Sequence, residues 1–196
     1  MGLSKKILNG RNYYILDNEG YYNGKIKILY DDSDKIRAEG QIEKGLKSGE
    51  WKYYYENGNI EKIENYKFGE LNGICMRFYE TGELLEKGEM KYDKMEGIWQ
   101  SYYKNGNVDT ETYYYLNKQT NGIWKKFYET GELKYECPTK NGKFFGDYIQ
   151  YEKDGTISYK CFLRDDIKNG EEIFYDEEGN ETYKTRYVNG KEIKIK

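Results

Sequence analysis

The string GIWKKFYETGEL runs from Gly122 to Leu133, and GICMRFYETGEL occupies Gly73 to Leu84. A glycine heads each copy. The same glycine recurs at Gly24, Gly49, Gly97, Gly146 and Gly170, in steps of 24 or 25 residues. A second glycine follows nine residues later at Gly58, Gly82, Gly106, Gly131, Gly155 and Gly179, with Ser33 in that place in the first unit. A fixed period in this range marks a repeat architecture. Upstream, NGRNYYILDNEGYYNGK reads as a shortened unit; downstream, TRYVNGKEIKIK reads as half of one. Atypical end units cap a stack, because each has a neighbour on one side only. The expected organisation is one repeat domain over residues 1–196: an N-terminal cap at 1–23, about seven repeats over 24–193 and a tail at 194–196.

Each unit is predicted to be a β-hairpin. In the unit that starts at Gly49, the aromatic run EWKYYYE is followed by NIEKIENYK, in which apolar and polar residues roughly alternate. Both patterns favour strand over helix. Between them lies ENGN, and the equivalent places hold ETGE, KNGN, KDGT and EEGN. Tight hairpin turns need φ > 0, which glycine adopts without steric cost. A second turn, such as KFGELNG or RDDIKNG, returns the chain to the next glycine. Two turns per period leave strands of ordinary length. The predicted fold class is therefore all-β: an elongated, single-sheet antiparallel meander of stacked hairpins of about 24 residues.

Residues at equal places form columns. Two after the head glycine stand Trp51, Cys75, Trp99, Trp124 and Tyr148; five after, Tyr54, Phe78, Tyr102, Phe127, Tyr151 and Tyr175; six after, Tyr30, Tyr55, Tyr79, Tyr103 and Tyr128. Strand parity assigns the first and third columns to one face and the second to the other. Rings then take the place of a deep aliphatic core. Leu, Ile, Val and Phe make up only about 19% of the chain, while 24 Tyr and 3 Trp supply the missing apolar area.

Composition removes several chemistries. With no histidine, imidazole metal sites and His-activated nucleophiles are excluded. There is no CxxC, phosphate-binding loop or dinucleotide fingerprint, and the acidic run Asp31–Asp34 lacks the further ligand spacing of a calcium loop. Cys137 and Cys161 share a column two strands apart, roughly 9–10 Å, beyond the reach of a disulfide. Free thiols are expected, with no cofactor and no metal. The 32 basic and 35 acidic residues interleave, without a basic block for nucleic acid. No apolar run approaches a membrane span. The cytoplasm is the expected compartment, or the cell surface if a signal peptide has been removed.

These units resemble the MORN-repeat variant family in its bacterial form, whose pattern is close to G-x-W-x-x-Y-Y-x-N-G. GEWKYYYENG (Gly49 to Gly58) and GIWQSYYKNG (Gly97 to Gly106) fit it closely, and GIWKKFYETG fits with Phe127 and Thr130 substituted. In the last two full units Glu152 and Asp176 replace the second Tyr, and Glu172 replaces the Trp. The resemblance implies stacked hairpins without a catalytic centre, and an interaction role. The expected function is a non-catalytic protein-binding module. The alternatives are a stoichiometric inhibitor of a toxin or nuclease, of antitoxin or counter-defence type, and a surface or membrane-associated adhesion protein. The expected partner is another protein; nucleic acid and membrane are disfavoured, and a homodimer stays open. The expected contact patch comprises Trp51, Tyr53, Tyr55, Arg77, Trp99 and Trp124, because exposed Trp, Tyr and Arg dominate binding hot spots.

Overall fold

The computed structural model describes residues 3–8, 11–16, 20–31 and 33–193. Asp32 of the acidic run, the 194–196 tail and parts of the cap lie outside them. Among the described residues every regular element is a strand, and every pairing is antiparallel. The chain divides into two compact units, Met1–Met95 and Glu96–Lys196.

In the first unit, β1 (Leu3–Leu8), β2 (Arg11–Leu16) and β3 (Gly20–Tyr21) form a small separate sheet. A second sheet runs in chain order through β4 (Gly24–Leu29), β5 (Ile36–Glu43), β6 (Leu46–Tyr54) and β7 (Ile60–Lys67), then β8 (Glu70–Leu71), β9 (Gly73–Phe78) and β10 (Leu84–Lys91). The second unit continues the numbering with β11 (Lys94–Tyr102), β12 (Val108–Tyr115), β13 (Lys118–Gln119), β14 (Gly122–Phe127) and β15 (Leu133–Lys140). It ends with β16 (Lys143–Tyr151), β17 (Ile157–Arg164), β18 (Ile167–Tyr175), β19 (Glu181–Val188) and β20 (Lys191–Ile193). Each unit is an up-and-down meander whose sheet does not close on itself.

Two turn chemistries alternate. At one edge, Tyr55 N–H donates to Asn59 O at 2.8 Å and Gly58 N–H to Tyr55 O at 2.9 Å. Of the loop residues only Gly58 has positive φ, 91°. This is a three-residue loop, a type I turn closed by a bulged glycine. The same pair of bonds recurs at Tyr79, Tyr103, Tyr128, Glu152 and Asp176. At the opposite edge two consecutive residues hold positive φ, as at Phe68–Gly69, Leu116–Asn117 and Asn141–Gly142. Those are two-residue type I′ turns, whose twist matches the strands they join.

A bulge beside each bulged-glycine turn adds one residue to the return strand and leaves the alternation of the head strand intact. Register shifts fall between Tyr53 and Tyr54, Ser101 and Tyr102, and Lys126 and Phe127. In the first unit the packed face holds places two and four after the head glycine, Ile26 and Trp51 with Ile28 and Tyr53. Trp51, fully buried, lies 6.3 Å from Tyr53 on the same face. The sixth-place tyrosines do something else. Four of their hydroxyls reach the next repeat and donate to a backbone carbonyl: Tyr30 to Tyr54 O (2.5 Å), Tyr55 to Phe78 O (2.8 Å), Tyr103 to Phe127 O (2.8 Å) and Tyr128 to Tyr151 O (2.9 Å). Asn105 and Asn107 amides add bonds to Glu129 O beside Tyr103.

Two predictions test this arrangement by chemical denaturation. A Cβ on Gly40 would sit 2.4–2.5 Å from the Trp51 ring. Gly40→Ala should therefore cost about 1–3 kcal/mol through overpacking. Tyr103→Phe removes one inter-repeat bond and should cost about 1 kcal/mol without altering the fold.

Candidate protein-binding surface

The packed face of the first unit centres on Trp51. Its indole covers Gly40, and its Nε1–H donates to Gln41 O at 3.0 Å. Tyr14, from the small N-terminal sheet, stacks over it at 6.5 Å, and Tyr66 meets it edge-on at 6.3 Å. Lys47 lies among these rings. Its Nζ is 4.3 Å from the Trp51 ring, 5.0 Å from Tyr53 and 4.7 Å from Tyr66, and it donates to the Tyr53 hydroxyl at 2.5 Å. Glu64 accepts from Lys62 and from the Tyr66 hydroxyl, both at 2.7 Å. Burial pushes Lys47 down to about 8, against the pull of Glu64. For Glu64, burial acts upward but the Lys62 and Tyr66 donors more than offset it, holding the carboxyl below its ordinary range.

The second unit repeats the theme with different residues. Trp124 meets Phe144 edge-on at 5.4 Å, and Cys137, Cys161 and Leu163 form a buried cluster with Phe144, Tyr148 and Tyr159. Where the column ends in Glu172 in place of Trp, the buried carboxylate accepts from Lys168 and from the Tyr159 hydroxyl (2.6 Å). All three cysteines are free and buried, and burial raises each thiol, Cys137 to about 12. These clusters satisfy buried charge within a packed face. No group of three possible metal-ligating residues occurs among the described residues.

The residues expected at a contact patch are distributed as follows. Trp51 has no exposed surface, so packing accounts for it. Tyr53 is half-buried beside it, and Tyr55 is half-buried with its hydroxyl engaged by Phe78 O. Arg77 is exposed and 3.7 Å from Glu86. Trp99 and Trp124 are half-buried on the packed face.

Another column stands free. The residue one place after the head glycine is Ile74, Ile98 or Ile123 in three successive units, each exposed on the face opposite the tryptophans. In the second unit Ile98 (54% exposed) is in register with Tyr113 (40%). With Ile123 (49%), they line one hollow of about 270 Å³, whose charged walls are Glu111 and Lys125, 3.6 Å apart. The signal was present in the sequence as an isoleucine column where other units carry Lys25, Glu50, Asp147 and Glu171.

A family model described as MORN repeat variant matches residues 47–68, 71–92, 95–117 and 120–141, in tandem. No curated protein matches the chain.

The Lys47 cluster yields a pH prediction. Because the folded state lowers the pKa of this base, the folded chain holds fewer protons than the unfolded chain from about pH 8 to 10.5. That destabilisation is fully present below pH 8 and is relieved as pH rises. The raised thiols and tyrosines act oppositely above their ordinary values of 9.0 and 10.0, so the diagnostic quantity is a difference. Wild type should gain stability relative to Lys47→Met between pH 7 and 10, read as urea midpoints.

Proposed function

Because this chain belongs to the MORN repeat variant family, a non-catalytic repeat family whose repeats generally bind proteins or membranes, we propose that it is a non-catalytic protein-binding module. The observation that carries this reading is the exposed Ile98–Tyr113–Ile123 patch of the second unit. Contiguous apolar surface with a charged rim is characteristic of interaction sites. The patch lies on a rigid sheet face, so a partner meets it at little ordering cost. Arg77, Trp99 and Trp124 contribute to the same role at most through their accessible edges.

A narrower reading, a stoichiometric inhibitor of a basic toxin or nuclease, is favoured by the bulged-turn edge. In the second unit its loops carry Glu129, Glu132, Glu152, Asp154, Asp176, Glu177 and Glu178, with Lys104 and Lys153 among them. A hollow of about 670 Å³ opens there, lined by four of those carboxylates. Carboxylates in series steer and hold a cationic partner. The cytoplasm remains the proposed compartment; among the described residues no helix is long and apolar enough to cross a membrane.

Affinity purification from the native cell, compared across variants, tests the module reading. Wild type should retain a stoichiometric protein partner, and Ile98→Asp with Ile123→Asp should lose it with the fold intact by circular dichroism. Retention by that variant overturns the assignment of the patch. The inhibitor reading predicts in addition that the partner is toxic when expressed alone, and that neutralising the acidic loops abolishes protection.

A further inference from the structure

We propose that the outer edge of β4 is a docking site for an extended segment of a partner protein that presents a carboxylate in register with Lys27. This site lies in the first unit and goes beyond the patch on the second.

Inside each unit, the strand that starts at a head glycine is flanked on its outer side by the return strand of the preceding repeat. Lys62 and Ile63 of β7 face Arg77 and Met76 of β9, and Thr110 and Glu111 of β12 face Lys126 and Lys125 of β14. β4 is such a head strand, yet among the described residues of the first unit only β5 is in register with it. β2, which precedes it, pairs with β1 and β3. It is drawn over the packed face: Tyr14 N–H donates to Gly45 O at 2.7 Å, and the Tyr14 ring stacks on Trp51. Covering Trp51 thus leaves the outer side of β4 without a strand from the described residues of the first unit.

Backbone alternation tells which groups point outward. Tyr30 N–H donates inward to Lys35 O at 3.0 Å, so Ile28 and Ile26 share its direction, and Lys25, Lys27 and Leu29 turn outward. Lys25 O accepts the Tyr22 hydroxyl at 2.9 Å, in keeping with that direction. The N–H and C=O of Lys27 and the N–H of Leu29 form a short template for strand addition.

The repeat itself specifies the occupant. The third place after the head glycine is Lys only at Lys27, Lys52 and Lys125. At the last two, the preceding return strand places a glutamate in register: Glu39 with Lys52 and Glu111 with Lys125. Among the described residues Lys27 has no such outer partner, and its pairing with Glu39 on β5 is long, 3.9 Å. Ile26 and Ile28, on either side, point to the packed face, Ile26 buried and Ile28 half-buried. The fitting segment therefore alternates β-branched or apolar residues around one Asp or Glu. A second copy of this chain does not fit. Its last return strand carries Lys184 where β12 carries Glu111, and like charges directly opposed on adjacent strands repel.

The probe is a synthetic peptide reproducing Val108–Tyr115 (VDTETYYY), titrated into the ¹⁵N-labelled full chain. It should perturb the amides of Lys25, Lys27 and Leu29. Lys27→Glu, at an exposed side chain, should weaken binding at least tenfold while leaving thermal unfolding unchanged. A peptide with Lys in place of its glutamate should reverse the preference, binding Lys27→Glu and not wild type. The proposal fails if millimolar peptide leaves these amides unmoved, if perturbation falls on other strands, or if both proteins bind both peptides alike; the edge lysines would then serve only to blunt pairing.

Discussion

A sheet without a second layer has to make its own cover, and this constraint shapes every unit. Trp51 reaches complete burial because its indole lies flat over Gly40, where no side chain intervenes. Tyr14, Tyr53, Tyr66 and the stem of Lys47 close the remaining sides. Apolar area is thus removed from water by rings lying along the sheet. The cost is that polar groups are drawn into the same layer, which is why Lys47, Glu64, Lys168 and Glu172 are all held by ring hydroxyls or opposite charges.

The repeat was legible because it is written in backbone requirements. Gly58 and its counterparts adopt positive φ, and no other residue does so as cheaply. What strand parity could not supply was the bulge beside each turn. One extra residue on the return strand, Glu61 opposite Tyr53 and Tyr54, shifts the pairing there while the head strand keeps its alternation. Nor could parity show that sixth-place tyrosines bond across repeats.

The contact surface was less legible for a related reason. Aromatic residues were expected to mark it, yet in a thin fold they are the residues most needed for cover, and Trp51 is consumed by that need. Isoleucine carried the opposite meaning. In this chain Ile42 is fully buried, whereas Ile98 and Ile123 stand on the far face with no layer over them. Residue type alone does not separate the two; place relative to the head glycine does. The type I′ turns show the same inversion, since Phe68 and Leu116 occupy left-handed backbone at exposed tips, where side chain bulk is normally avoided.

The tyrosine bonds between repeats end on main-chain carbonyls, and every residue has one. A unit therefore recognises its successor through a feature that substitution cannot erase. Between units that keep the tyrosine, copying or deleting a whole hairpin restores the same bond at the new junction. Such a chain can lengthen or shorten by gene duplication while its exposed columns diverge; only where the sixth-place tyrosine itself is replaced, as at Glu152 and Asp176, does the donor of this bond disappear.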